Sequence, residues 1–301
     1  MAYTNIDDPS AFFQTLLWTG NSSDGRALTN DGNSDLKPDL VWLKNRNAGY
    51  AHFITDSTRG NTTYLYASGT VSEADATTLT NFVESFDTNG ITVGFDGSQV
   101  PNYNGNTFVA WQWKANGGTT STNTAGTINT TIQTNTTAGF SICTHDGNGT
   151  AGATFGHGLG VKPDFIMAKR RDGVTNWRCY HSGLGAAKTI LLNTTDSSFT
   201  SSDSWNSTEP TSTLVSVGNG SRTNATGSPI LFYIFASKKG YSKFGSYVGN
   251  GNVDGPFVYT GFKPAFVLTL PDSGSKNRYM WDSKRSPINP CLLYTSPSPR
   301  D

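Results

Sequence analysis

The sequence has no surplus of either charge: 22 Lys and Arg stand against 22 Asp and Glu. A chain with no excess positive charge has little means of holding a polyanion, so no nucleic-acid partner is expected. Charged residues make up only 15%, against a typical share of about 25%. No apolar run approaches the roughly 20 residues of a membrane helix, so no membrane insertion is expected. Three cysteines are too few for a disulfide scaffold in a chain of this size. The opening, MAYTNIDDPSAFF, lacks the basic-then-apolar order of a secretory leader. The expectation is a protein without a signal peptide, which stays where it is made or leaves by lysis inside a virus particle.

Asn, Thr, Ser and 33 Gly carry the polar load instead. These residues suit turns and solvent-facing strand positions and are poor helix formers. Aromatics reach 12%, enough to fill several cores. The composition points to all-β structure rather than disorder.

An internal repeat organises the chain. KPDLVWLKNRNAGYAHFITDS begins at Lys37, KPDFIMAKRRDGVTNWRCYHS at Lys162 and KPAFVLTLPDSGSKNRYMWDS at Lys263. The three align over 21 residues without a gap. Asp56, His181 and Asp282 close equivalent positions, each followed by Ser. Pro fixes φ and holds the preceding Lys extended. Four mostly apolar residues follow, such as Leu40-Val41-Trp42-Leu43. A continuous run of this length predicts a strand covered on both faces. A turn then leads to a second strand, with Asp172-Gly173 the strongest hairpin signal.

Two copies extend further. FFQTLLWTGN (12–21) matches GFSICTHDGN (139–148), and TTYLYASG (62–69) matches KTILLNTT (188–195). Each copy closes on an apolar strand, Phe108–Trp113 or Ile230–Phe235. The predicted architecture is tandem antiparallel β-sandwich units of about six strands each, jelly-roll and lectin-like in pattern. Unit one covers residues 1–117, a Thr/Asn/Gly-rich linker 118–138, and unit two 139–240. A truncated unit three covers 241–290. The linker is expected to be flexible or extended, although Ile128 and Ile132 alternate as in a strand. The last eleven residues, CLLYTSPSPRD (291–301), look like a translated sequencing adapter. On that expectation the natural chain stops after Pro290, and the third unit exposes an unpaired sheet edge.

No candidate catalytic residue emerges, nor any cofactor site. His52, His145, His157 and His181 make no metal-binding spacing. His181 takes the Asp slot of the repeat and is expected to cap a turn. Cys143 and Cys179 are expected as buried free thiols. Asp31-Gly32-Asn33-Ser34-Asp35 has calcium-loop spacing, but Trp42 stands where the bidentate Glu belongs, so no metal is expected. Trp111 and Trp113 share one strand face and are expected in a core rather than under a sugar. The sequons at Asn61, Asn129, Asn148 and Asn193 are read as chance in an Asn/Thr-rich chain. Binding residues are not identified by the sequence.

MAYTNIDDPSAFFQTLLWTGN, KPDLVWLKNR, GHGLGVKPDFIMAKRR and KKGYSKFGSYVGNGNVDGPFVYTGFKPAFVL together resemble repeat domains of marine bacteriophage tail-associated virion proteins. The repeat itself has no established function. The resemblance implies a virion location, other virion proteins as partners, a possible oligomer and a role near host surface glycans; it transfers no catalytic residues. The expected function is therefore a non-catalytic tail or tail-fibre structural protein. A tail glycan-degrading enzyme and a cellular lectin-like adhesin are the alternatives.

Overall fold

The computed structural model describes residues 4–75, 82–95, 97 and 100–286. Nearly all of the regular secondary structure among the described residues is antiparallel strand, as the composition predicts. Unit one contains β1 (Phe13–Thr19), β2 (Arg26–Thr29), β3 (Leu40–Asn45), β4 (Phe53–Asp56), β5 (Gly60–Tyr66), β6 (Ala74–Asp75), β7 (Val83–Asp87), β8 (Gly90–Val93) and β9 (Thr107–Trp113). A large sheet runs β1-β9-β3-β4-β5-β6 and a small one β2-β8-β7. Trp18, Val41, Phe53, Phe82, Ile91 and Phe108 fill the space between them.

Unit two repeats this plan. Its strands are β10 (Ser121–Asn123), β11 (Thr130–Asn135), β12 (Phe140–Asp146), β13 (Ala153–Gly156), β14 (Phe165–Arg170), β15 (Arg178–His181), β16 (Lys188–Leu191), β17 (Phe199–Thr200), β18 (Leu214–Val217) and β19 (Pro229–Phe235). The large sheet runs β10-β11-β12-β19-β14-β15-β16-β17, and β13 pairs with β18. Phe155, Ile166, Tyr180, Trp205, Val217 and Phe232 lie in its inner core. Of unit three, a hairpin is formed by β20 (Phe266–Thr269) and β21 (Tyr279–Asp282). Phe266 pairs with Asp282 just as Leu40 pairs with Asp56 and Phe165 with His181.

Three expectations need correction. Segment 118–138 is not a flexible linker: it supplies β10 and β11, and β11 pairs with β12 from Thr131↔Thr144 to Asn135↔Phe140. Alternation of Ile128 and Ile132, both buried, decides this against the polar composition. Each unit holds more than six strands, because short polar segments add edges. The downstream match also slips by one residue. Leu65 pairs with Ile54, and Ile190 with Cys179, so Leu65 corresponds to Ile190. Leu65 and Ile190 follow Ile54 and Cys179 at the same spacing, so the gapless offset of the Lys-Pro block continues through them.

A second core explains why the repeated strand is apolar throughout. Alternate residues of a strand face opposite sides. Val41 and Leu43 face the inner core of unit one, while Leu40 and Trp42 face a core shared between units. In β14, Ile166 and Ala168 turn inward, while Phe165 and Met167 join the shared core. Phe266, Leu268 and Met280 of the hairpin pack against the same cluster. Units one and two thus each have their own core and also lean their large sheets on the shared one.

Candidate functional site

The polar groups set into the shared core repeat from one seam to the next. Trp111 on β9 and Tyr233 on β19 occupy the same repeat position. Tyr233 of unit two donates its hydroxyl proton to Asp56 Oδ2 of unit one at 2.7 Å. Trp111 of unit one donates Nε1–H to Asp282 Oδ2 of unit three at 3.1 Å. A second position obeys the same order: Trp177 Nε1 donates to Tyr66 O at 2.9 Å, and Arg278 Nη2 to Leu191 O at 3.0 Å. Each unit therefore reaches back to the one before it, and unit one reaches to unit three. An open row of units has no contact between its first and third members. The three repeats form a closed ring around their shared core.

The seam between units one and two contains a buried ionic cluster. Arg59 is held by Asp56 Oδ2 at 2.5 Å and by the Glu73 carboxylate. The side chains of Arg59 and Asp56 are 1% and 0% exposed. Arg59 Nη2 also donates to Tyr233 Oη at 3.2 Å, and Arg171 of unit two pairs with Glu73 at 2.6 Å. Burial opposes the guanidinium charge, but Asp56, Tyr233 and Glu73 outweigh it and raise the pKa further. At the seam with unit three, Arg285 pairs with Asp282 at 2.5 Å and lies 4.9 Å over the Trp111 ring. Asp-x-x-Arg is thus a joint used twice. Unit two has His181 and Leu184 at these positions.

A repeated lysine, not singled out by sequence, secures the hairpin loops. Lys44 Nζ donates to Ala48 O at 2.9 Å and to Tyr50 O at 2.5 Å. Lys169 Nζ, in the equivalent place, donates to Gly173 O at 3.3 Å, Thr175 O at 2.7 Å and Thr70 O of unit one at 3.0 Å. Lys169 is fully buried, and burial with Arg170 nearby pushes its pKa down to about 8. Its place eight residues into the Lys-Pro block was the available signal. Lys169→Met removes the ammonium donor of three half-buried carbonyls, of which Thr70 O keeps the Thr175 amide, and is expected to cost about 2–3 kcal/mol in urea unfolding. Lys44→Met, closer to solvent, is expected to cost about 1 kcal/mol.

The residues weighed from sequence do not converge on one place. Trp111 and Trp113 lie in or against the shared core, as expected. Cys143 and Cys179 are free and buried. They face opposite sides of the sheet, one in the inner core and one in the shared core, and burial pushes both thiols up to about 12. His181 Nδ1 accepts from Gly183 N at 2.9 Å, capping the turn. Asp31 is turned toward Lys284 at 2.7 Å. Asn193 Oδ1 accepts from Trp177 N, and Asn148 Oδ1 from Thr150 N, both at 2.9 Å; Asn129 is exposed. Among the described residues, no group of three or more His, Cys, Asp or Glu gathers as metal ligands.

The remaining histidines are set against apolar surroundings. His145 lies between Phe155 and Phe232, with ring centroids at 4.9 and 5.1 Å. Burial pushes His52, His145 and His157 each down to about 4. The unfolded chain binds protons at these rings below about pH 6.5, and the folded chain does not until about pH 4. Their contribution is complete above pH 6.5 and is lost as the pH falls toward 4. The unfolding free energy obtained from urea melts is expected to drop across that window, by a total on the order of several kcal/mol. His145→Phe is expected to flatten the slope by one proton.

Two clefts open at the surface. One of about 240 Å³ is walled by Thr122, Asn129, Thr131, Thr144, Asp146 and Arg171. Its lining is hydroxyl- and amide-rich, with one charge of each sign. The other, about 390 Å³, lies between segments 237–244 and 259–261, beside Phe244 and Tyr259.

Fold and seams together define a repeat-built β-sandwich protein whose buried polar groups join unit to unit. Over residues 8–299 the chain matches the family model described as Domain of unknown function (DUF7483), and it belongs to that family. The match runs through both sandwich units and the hairpin, and extends into segment 291–301, which lies outside the described residues. No curated protein and no solved structure matches the chain.

Proposed function

We propose that the chain is a non-catalytic structural protein of a phage virion, in the tail or a tail fibre, with loops that meet host surface glycans. The closed ring of repeats is the observation that supports this reading. Charge buried at the seams joins units into one stiff body, and repeated units offer similar loops at several stations. Linked weak sites raise avidity through effective concentration. The hydroxyl- and amide-lined cleft beside Asp146 and Arg171 has the polar character that saccharide hydroxyls require. The rival reading of a glycan-degrading enzyme calls for two carboxylates facing a groove about 5–10 Å apart. Asp56 and Glu73 are instead both committed to Arg59 inside the seam.

Mass spectrometry of purified particles from the source phage tests the location. Peptides of this chain at a fixed copy number per particle are the expected result; their presence in lysate but not in particles contradicts it. A glycan array tests the surface. Binding is expected to be lost in Asp146→Ala with thermal unfolding unchanged.

A further inference from the structure

In both complete units the closing strand is inserted between two earlier ones, β9 between β1 and β3 and β19 between β12 and β14. β1 pairs with β9 over seven residues, from Phe13↔Trp113 to Thr19↔Thr107, and β12 pairs with β19 over seven more. The opposite edges of β9 and β19 carry β3 and β14. Unit three has counterparts of both flanking strands and, among the described residues, nothing between them. Segment 242–248 stands where β1 stands in unit one, and β20 where β3 stands. No strand forms over 242–248. Tyr247 and Val248 are 58% and 88% exposed, whereas Trp18, in the place of Tyr247, is 7% exposed.

A repeated clasp marks how a closing strand enters. Asn102 Nδ2 donates to Asn21 Oδ1 at 2.9 Å, and Asn21 N to Asn102 Oδ1 at 3.3 Å. Asn224 and Asn148 do the same at 3.1 and 2.9 Å. Gly20 and Gly147 precede the clasped Asn in each unit. Their amides donate to Asn106 O at 2.7 Å and Ser228 O at 2.9 Å, and Gly105 and Gly227 donate back to them at 3.1 and 2.8 Å. A Cβ on Gly20 would lie 2.1 Å from Tyr103 O, and one on Gly147 2.3 Å from Ala225 O. Glycine is therefore required wherever the incoming backbone passes this close. Gly249-Asn250 repeats the pair in unit three. A Cβ on Gly249 would meet nothing within 4 Å, and Asn250 Nδ2 turns to Asp254 O at 3.0 Å.

We propose that unit three is a receptor for one further closing strand, an Asn-x-x-Gly segment leading into seven mostly apolar residues. The pattern is read from Asn102-Tyr103-Asn104-Gly105 before β9 and Asn224-Ala225-Thr226-Gly227 before β19. Such a strand pairs with 242–248 on one edge and β20 on the other, the main-chain mode of strand addition. Its fifth residue, by the order of the ring, meets His181 of unit two. Gly183 N already donates to His181 Nδ1, so the neutral ring offers Nε2–H outward. Where Asp56 and Asp282 accept from Tyr233 and Trp111, His181 donates. The fifth residue must therefore accept, as a Tyr hydroxyl can and an indole cannot. Ala265 stands where Asp39 accepts from Ala115 N at 2.6 Å and Asp164 from Ser237 N at 2.8 Å, so the third slot holds its strand without that carboxylate. The inference is independent of where the protein resides.

The test uses the full chain and a lysine-tagged peptide of residues 224–236. Bound peptide is expected to slow amide exchange at 245–250 and 266–269, and a scrambled peptide is not. Tyr233→Phe in the peptide is expected to weaken binding about five- to tenfold. Gly249→Ala in the chain, which touches nothing in the free protein, is expected to leave thermal unfolding unchanged and to weaken binding at least tenfold. Unprotected amides, or equal binding to Gly249→Ala, overturn the proposal. So does a dimer of the chain with those amides already protected, since a second copy then fills the slot.

Discussion

Arg59→Ala is expected to lower the unfolding free energy by about 3–5 kcal/mol, the cost of leaving buried charge uncompensated. Total stabilities run to roughly 5–15 kcal/mol, so the substitution removes a large share. Asp56 is fully buried and keeps only the amides of Thr58 and residue 59 and the Tyr233 hydroxyl as donors. Glu73 keeps Arg171. Urea unfolding followed by tryptophan fluorescence measures the loss. Asp56→Asn combined with Arg59→Met removes both charges of the most deeply buried pair. That double variant is expected to be more stable than Arg59→Ala, because its core holds no unpaired ion. If Arg59→Ala costs under about 1 kcal/mol, the cluster is solvated and the seam between units one and two is open.

Trp111→Ala comes next, at about 3–5 kcal/mol for truncating a buried indole. Trp111 is fully buried. It meets Phe266 at 5.8 Å and Trp42 at 6.4 Å between ring centroids, with the Arg285 guanidinium on its face. The loss falls unevenly. Amide exchange in β20 and β21 is expected to speed up more than in the inner core of unit one, because the indole carries both the Asp282 hydrogen bond and the Arg285 contact that tie the hairpin to that unit. Uniform acceleration across both places contradicts the arrangement.

Strand class and the repeated hairpin were legible because they rest on local chemistry. Lys-Pro, the apolar run and the Asp-Gly turn are each set by φ, face alternation and turn geometry. The same run hinted at cover on both faces, but not at what supplied the second cover. Leu40 and Trp42 read alike whether the layer above them is a loop or another unit. Ring closure depends on Trp111 meeting Asp282 across 171 residues, and no local pattern encodes that pairing. The Asp-x-x-Arg spacing at 56–59 and 282–285 was visible but marks only the acceptor side of each joint; His181 and Leu184 in the middle copy broke the pattern. Segment 118–138 misled because Thr and Asn dominate both linkers and edge strands, and only Ile128 and Ile132 separate the two cases. The paired Asn-x-x-Gly entries before β9 and β19 were also in the sequence, hidden by their small size.

The most direct test of the closed ring is a double-mutant cycle between unit one and unit three, with Trp111→Phe and Asp282→Asn singly and together. A ring joined by the indole and the carboxylate predicts a coupling of about 1 kcal/mol or more. Strict additivity, within the few tenths of a kcal/mol usual for distant sites, would show that the first and third repeats do not meet.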